Sequence, residues 1–457
     1  MVDILALLFS LALIMFLAYK GHSTIVTAPI VALLTVILTS KGASHLMVNY
    51  TEVYMSGFSG FVKNYFPLFL TGAIFAKFME ETGYAKSIAD FISKKLGSKH
   101  AILSVVLAGA FLTYGGVSLF VVAFILFPIA TQLYREANIP KRLIPGSIAL
   151  GAFTFTMTAM PGSPEIQNLI PMSYFGTDSF AAPVLGLVAS FLMLSSGMIY
   201  LTYQRKAALN RGENYGPNEE LILEGNKPTS SIFISILPIL IVFCSNLFFS
   251  KIFYSNVNGD YLKEYGLTLD KVSGTWSVII SLVLGATFMF ILNLKKFKSP
   301  RRILDDAIKN SFAPLLNSSA IVGYGSVIKS LAVFSLLQNL ILGISSNPII
   351  SEAISVNIIC GLTASASGGL GITLDALSNT YLQMSNIMGI PPEVLHRIAS
   401  LSCGGLDTLP HNGAVITTLA ICGLTHKESY KDIFVTSVLI PILTTIFIVF
   451  IVYLRYL

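Results

Sequence analysis

Residues 100–134 have the sequence HAILSVVLAGAFLTYGGVSLFVVAFILFPIATQLY, which is apolar for longer than one helix needs to cross a membrane. A crossing helix takes about 20 mostly apolar residues. This stretch is interrupted in its middle by Thr113-Tyr114-Gly115-Gly116, and residues 349–384 are interrupted in the same way from Thr363 to Gly369. Each stretch is therefore either one long, kinked helix or a re-entrant hairpin of two half-helices.

The charges beside the two stretches favour hairpins. Short loops rich in Lys and Arg stay in the cytoplasm. The first stretch has such loops on both sides, with basic residues at Lys86, Lys94, Lys95, Lys99, Arg135, Lys141 and Arg142. A segment with both ends on one side has to dip into the membrane and return. The second stretch is flanked by residues 343–348 and 385–392, which contain neither Lys nor Arg, so it predicts a hairpin that enters from the opposite side.

The composition places the whole chain in a membrane. Its 457 residues are 54% hydrophobic and 11% charged, with a mean hydropathy of +0.75, whereas soluble proteins carry roughly 25% charged residues. The net charge of +6 does not indicate nucleic acid binding, because the basic residues lie at segment ends rather than in one stripe. We predict an all-α polytopic membrane protein whose crossings are 3–19, 24–40, 61–82, 142–168, 181–203, 232–250, 275–294, 311–330, 394–421 and 433–454.

The two halves of the chain share short motifs. Three motif pairs recur at a nearly constant offset. Pro67–Leu70 matches Pro314–Asn317, Gly115–Gly116 matches Gly368–Gly369, and Ala137–Pro140 matches Met388–Pro391. Chance similarity between apolar stretches is the alternative to duplication. With five crossings and one hairpin per half, the second copy has to be inverted. We predict repeats at 1–203 and 232–457, joined by a cytoplasmic linker at 204–231. Inverted repeats with interrupted helices indicate a secondary transporter.

Four interruptions predict where a substrate binds: residues 113–118, 156–168, 363–369 and 402–413. A half-helix that starts inside a membrane directs free N–H groups at an anion. The four segments contain no Lys or Arg, so they favour a small monoanion over a polyanion. Tight helix packing is the alternative reason for small residues at these positions. The predicted substrate-binding residues are Thr113, Gly115, Gly116, Ser118, Thr158, Gly162, Ser163, Ser365, Ser367, Gly368, Gly369, Asn412 and Gly413.

Three ionisable residues in or beside these interruptions, Asp407, His411 and Glu165, are candidates for proton coupling. Ionisable residues inside a membrane are expected to be functional, and either His or a desolvated carboxyl group can carry a proton. For His411 a hydrogen-bonded structural role is the alternative, and Glu165 fits equally well at the mouth of a cavity. The four cysteines lack CxxC spacing, so neither a disulfide framework nor a metal site is predicted. No cofactor is expected.

Three longer stretches resemble the gluconate permease (GntP) family: GGVSLFVVAFILFPIA at 115–130, NIPKRLIPGSIALGAFTFTMTAMPGSPEIQNLIP at 138–171, and LDTLPHNGAVITTLAICGLTHKESYKD at 406–432. The resemblance is strongest to the 3-hydroxybutyrate permeases of that family. It implies a proton-coupled symporter of small organic acids in a bacterial inner membrane. It also implies kinship with the ion transporter superfamily, whose members are typically dimers that move substrate by an elevator displacement.

One departure from the family pattern bears on the substrate. Sugar-acid permeases have a Pro-Pro-His-Pro-Gly-Pro type of motif where this chain has Ala159-Met160-Pro161-Gly162-Ser163-Pro164. We therefore expect a shorter hydroxy acid similar to 3-hydroxybutyrate. Gluconate transport and sodium-coupled carboxylate symport remain the alternatives. An enzyme is not expected, because the membrane segments contain no HExxH, GxSxG or paired catalytic motif.

Overall fold

The computed structural model describes residues 2–20, 22–39, 42–117, 119–216, 230–294, 297, 299–331, 334, 345–363, 365–410 and 412–456. All regular structure in these ranges is helical. The α-helices are α1 (Val2–Tyr19), α2 (Thr24–Leu38), α3 (Leu46–Val48), α4 (Met55–Glu81), α5 (Tyr84–Leu96), α6 (Ala101–Tyr114), α7 (Leu119–Glu136), α8 (Leu143–Ala152), α9 (Phe155–Thr158), α10 (Ile166–Phe175), α11 (Pro183–Asn210), α12 (Ile232–Phe248), α13 (Leu269–Leu292), α14 (Pro300–Lys329), α15 (Pro348–Thr363), α16 (Ala366–Ile387), α17 (Pro392–Cys403), α18 (Gly413–Ile421), α19 (His426–Phe434) and α20 (Ile440–Arg455).

Several described helices are long and apolar enough to cross a bilayer. By length and composition they are Pro183–Asn210, Ile232–Asn256, Leu269–Leu292 and His426–Arg455. Large apolar side chains on these helices point away from the protein: Phe191 is 68% exposed, Ile199 72% and Phe233 82%. A surface of this kind is unfavourable in water and suits the hydrocarbon of a bilayer.

Two helices extend beyond the crossings predicted for them. The crossing predicted to end at 203 continues in α11 to Asn210, so the predicted linker at 204–231 begins inside a helix. The crossing predicted to start at 311 begins at Pro300, where proline occupies the first turn of α14. In both cases the helix continues through charged residues, which a search for apolar stretches does not include in a crossing. Residues 217–229 of the linker lie outside the described residues.

Both interrupted stretches are helical hairpins. Helices α6 and α7 pack against each other across the break after Tyr114, and α15 and α16 pack across the break after Thr363. Gly116 has a φ of 75° at the first turn, a left-handed conformation that favours glycine. In the second hairpin, a Cβ added at Gly369 would lie 2.5 Å from the Cα of Cys360. The arms are therefore close enough that only glycine fits between them.

The two predicted interrupted crossings are also present. Helices α8, α9 and α10 make up the first, and α17 and α18, separated by residues 404–412, make up the second. The second arm of each hairpin packs against the interrupted crossing of the other half: α7 contacts α18, and α16 contacts α10. Helix α14 packs along α4 and also contacts α2 and α16. This arrangement brings the interruptions to one region in the interior.

Candidate functional site

A cavity of about 400 Å³ lies where the interruptions meet. Its walls come from the tip of the second hairpin, both interrupted crossings, the start of α2 and the middle of α14. The polar residues that line it are His22, Thr24, Gln167, Asn317, Ser318, Thr363, Ser365, Ser367, Asp407, Thr408 and Asn412. None of the described lining residues is Lys or Arg. The cavity is thus polar, but Asp407 is its only acidic residue among those described.

Four helices begin at this cavity. Its lining includes Leu119, the first residue of α7, Gln167 in the first turn of α10, Ala366, the first residue of α16, and Gly413, the first residue of α18. The first N–H groups of a helix have no partner within the helix, and the aligned peptide dipoles give that end a partial positive charge. Four such ends around one space make it suitable for an anion.

Side-chain caps hold the two helix starts of the second half in place. The Ser365 Oγ accepts a hydrogen bond from the Gly368 N–H at 3.1 Å. The Asn412 Oδ1 accepts from the N–H groups of Ala414 at 2.7 Å and Val415 at 3.2 Å. These caps use only part of each first turn, because a helix start has four N–H groups without an intrahelical acceptor. Earlier N–H groups, such as that of Gly413, remain available to a ligand.

Asp407 is a buried carboxyl group at the cavity wall. The residue is 3% exposed, and its Oδ1 has no hydrogen-bond partner in the described part of the chain. The Asn412 Nδ2 donates to the Asp407 carbonyl at 2.9 Å, which fixes the backbone between α17 and α18. A buried carboxylate oxygen without a hydrogen-bond partner is costly, even where the backbone N–H groups of Asp407 and Thr408 donate to the same carboxyl group. Asp407 therefore has a strong reason to bind a proton or a cation.

The predicted site residues divide into two groups. Ser365, Ser367, Asn412 and Gly413 line the cavity. Gly368 and Gly369 lie at helix contacts instead, since a Cβ at Gly368 would meet Ile321 at 3.1 Å. These two glycines therefore permit close packing of the hairpin. Ser118 and His411 lie outside the described residues.

The predicted residues of the first half do not line this cavity. Gly115 packs against Ile239, and Gly116 lies near Pro164. The other members of this group are Thr113, Thr158, Gly162, Ser163 and Glu165, none of which is part of the described lining. The described residues that the first half contributes instead are His22, Thr24, Leu119, Phe153, Met157 and Gln167. The substrate-binding and proton-coupling roles of these first-half residues stay predictions.

A buried arginine fills the first interruption. Arg397 of α17 is 0% exposed. Its Nε and Nη2 donate to the Ala181 carbonyl at 3.1 and 2.8 Å, and its Nη1 donates to the Ala159 carbonyl at 3.1 Å and to the Asn168 Oδ1 at 3.0 Å. The guanidinium thus satisfies the Ala159 carbonyl within the break and the Ala181 carbonyl shortly before α11. Residues such as Gly162 and Ser163 are therefore part of a closed polar junction.

Sequence reasoning overlooked Arg397 and Gln167. Arg397 lies within the crossing predicted at 394–421, where an ionisable residue is a functional candidate by default. Its position in a predicted membrane crossing was therefore sufficient to identify Arg397 as a candidate. Gln167 lies inside the predicted interruption 156–168 and is a polar side chain at membrane depth. Nothing in the local sequence predicts that Arg397 of one half joins the interruption of the other half.

A comparison with known families agrees with this architecture. The GntP family permease model matches residues 2–454. The chain belongs to the GntP permease family. It is thus a membrane transporter, and the family is compatible with a gluconate-type permease.

Among curated proteins, this GntP family member is 44% identical over 455 residues to YxjC of Bacillus subtilis, an uncharacterized transporter, with 96% of each chain covered. It is 26% identical over 177 residues to an uncharacterized transporter of Haemophilus influenzae, which covers 38% of this chain and 39% of that protein. Neither name identifies a substrate.

Two solved transporters have a similar fold. The YdaH transporter of Alcanivorax borkumensis superposes with a TM-score of 0.58 at 14% identity, covering 92% of this chain and 90% of that chain. MtrF of Neisseria gonorrhoeae, described as illuminating a class of antimetabolite efflux pumps, gives a TM-score of 0.53 at 12% identity, with 90% and 85% covered. At these identities the likeness shows a similar fold and does not identify the substrate of this GntP family member.

Proposed function

We propose that this GntP permease is a secondary active transporter that brings a small organic monocarboxylate, similar to 3-hydroxybutyrate, into the cell together with protons. The observation that carries the proposal is the meeting of four helix starts at a cavity whose described lining has one buried carboxyl group, Asp407, and no Lys or Arg. Helix starts and hydroxyl groups suffice for one carboxylate. Without a fixed positive side chain, the site is poorly suited to a polyanion.

The position of Asp407 supports coupling to protons. Two like charges about 4 Å apart repel by about 4 kcal/mol at an effective dielectric constant of about 20. An ionised Asp407 would therefore oppose the binding of a substrate carboxylate in the same cavity. Protonation removes this repulsion, so proton binding and substrate binding favour each other, and the coupling is reciprocal. Glu165 and His411 are the further proton-coupling candidates.

Two inverted repeats, 1–203 and 232–457, are the architecture we propose for transport. The second arm of each hairpin packs on the interrupted crossing of the opposite half. Two repeats related by a twofold axis would make this pair of reciprocal contacts. Interrupted helices in both repeats are typical of secondary transporters. An elevator displacement of the hairpins along α4 and α14, in a homodimer of the bacterial inner membrane, completes the proposal.

Uptake into proteoliposomes tests the proposal directly. Labelled 3-hydroxybutyrate is supplied outside, first with an inward proton gradient and then with an inward sodium gradient. Accumulation above the equilibrium level with the proton gradient alone is the expected result. Accumulation with sodium alone would support the sodium-coupled alternative, and accumulation of labelled gluconate in preference would support a sugar-acid permease. No accumulation of 3-hydroxybutyrate with either gradient would overturn the proposal.

A further inference from the structure

The amide of Gln167 is a buried polar group at the cavity wall. Gln167 is the second residue of α10, lines the cavity and is 9% exposed. Its Oε1 has no hydrogen-bond partner in the part of the chain that the structure describes. A buried amide oxygen without a donor is unfavourable, and most such atoms in proteins are paired. Gln167 therefore lacks a partner that a ligand in the cavity could supply.

Most other polar side chains of the described lining are already paired; the exposed His22 side chain has no hydrogen bond to the described residues. Other polar side chains of the cavity hydrogen-bond within the protein: Thr24, Asn317, Ser318, Ser367, Thr408 and Asn412. Among the lining residues, the buried side-chain oxygens without a partner in the described ranges are the Gln167 Oε1 and the Asp407 Oδ1. Under the proposed function, Asp407 is the residue that binds the coupled proton. The amide oxygen of Gln167 needs an external donor.

We infer that Gln167 determines substrate specificity by accepting a hydrogen bond from a hydroxyl group of the transported acid. The inference rests on the proposed function, since it names the part of the substrate that the same site recognises. A hydroxy acid supplies the donor that Gln167 lacks, whereas the acid without the hydroxyl leaves the amide buried and unpaired. Sites built to bind a hydroxyl reject analogues without it far more strongly than apolar pockets distinguish small size differences.

Arg397 is the positioning residue behind Gln167. Its Nη1 donates to the Oδ1 of Asn168, the residue next to Gln167. The Asn168 Nδ2 in turn donates to the carbonyls of Ser163 and Ser179, both at 2.9 Å. Asn168 is 0% exposed, so these bonds fix the first turn of α10 rigidly. They hold the neighbouring Gln167 side chain at the cavity wall.

The experiment compares uptake of labelled 3-hydroxybutyrate with uptake of labelled butyrate at low substrate concentration in proteoliposomes. The wild-type protein is expected to prefer 3-hydroxybutyrate by about tenfold to hundredfold, the range for an unpaired buried acceptor. Gln167→Met keeps the length of the side chain and removes its polar atoms. It is expected to abolish most of this preference, because 3-hydroxybutyrate loses its acceptor and butyrate no longer leaves an amide unpaired. Gln383→Met, at an exposed position of α16, is the matched control and is expected to keep the preference.

Arg397→Lys tests the positioning role, because lysine cannot reproduce the fork of guanidinium hydrogen bonds. The preference for the hydroxy acid is expected to fall toward that of Gln167→Met. Equal loss of uptake for both acids, with the preference unchanged, would mean that Arg397 acts only in folding.

Two further outcomes distinguish failure of the Gln167 inference from failure of the proposed function. A wild-type protein that transports both acids equally, or a Gln167→Met variant that retains the preference, would overturn the role of Gln167 and leave the proposed function standing. A wild-type protein that transports neither acid would refute the proposed function and this inference with it. If Gln167→Met does not fold, thermal stabilisation of the purified wild-type protein by each acid decides instead, and equal stabilisation would contradict the inference.

Discussion

Gly369→Ala should disrupt transport by separating the arms of the second hairpin. A Cβ at Gly369 would lie 2.5 Å from the Cα, 2.7 Å from the backbone nitrogen and 2.7 Å from the Sγ of Cys360. Favourable contacts between carbon atoms need about 3.5–4.0 Å, so α16 has to move away from α15 by about 1 Å. A misplacement of about 1 Å at a binding site reduces rates by about a hundredfold. The displaced segment carries Ser365 and Ser367, so we expect a loss of uptake of that size.

The assay is the initial rate of carboxylate uptake in proteoliposomes, together with the melting temperature of the purified protein. Overpacking costs about 1–3 kcal/mol, and the higher helix propensity of alanine offsets about 1 kcal/mol of it, so the stability of Gly369→Ala is expected to fall slightly. Gly72→Ala is the matched control, because Gly72 lies within α4 and nothing approaches its added Cβ within 4 Å. Uptake by Gly369→Ala as fast as by Gly72→Ala would refute the reasoning.

Three other predictions address individual charged residues. Asp407→Asn should still exchange substrate across the membrane but should no longer accumulate it in response to a proton gradient; retained accumulation would exclude Asp407 as the proton site. Glu352 is 0% exposed, and neither carboxyl oxygen has a partner in the described part of the chain. Glu352→Met should therefore increase stability by about 1–3 kcal/mol, and a lower melting temperature would contradict this. Hydrogen bonds from the Arg142 guanidinium hold the pKa of Glu213 below its usual range. Glu213 therefore stabilises the fold at pH values above its unfolded pKa of about 4.3, by less than about 1 kcal/mol because the pair is partly exposed. The difference in melting temperature between the wild-type protein and Glu213→Gln should vanish as the pH falls through the lowered pKa of Glu213 in the folded protein. A difference that grows on acidification would contradict this prediction.

Local sequence was sufficient to predict the hairpins and the second-half part of the candidate site. Glycines and hydroxyl side chains within apolar runs predicted the breaks after Tyr114 and Thr363. Such breaks depend on the residues of the segment itself and not on distant contacts. Ser365 and Asn412 could be predicted from local sequence as well, because each caps a helix that starts at the cavity.

The first-half part of the site could not be predicted in this way. Arg397 is distant in sequence from the interruption that it fills, and only the packing of α17 against α10 brings it there. With the carbonyl of Ala159 bound by that guanidinium, Gly162 and Ser163 become part of a structural junction. The start of α10 then decides which polar residue of that interruption reaches the cavity, and it places the buried Gln167 there.

The most direct test of anion binding at the meeting of the helix starts is an experimental structure of the protein with 3-hydroxybutyrate. Density for the acid is expected in the cavity, with its carboxylate at the starts of α16 and α18, near Ser367 and Gly413. A second cavity of about 350 Å³ is lined by Lys329, which pairs with Asp375 at 3.2 Å. Density for the acid beside Lys329, with the first cavity unoccupied, would contradict the claim.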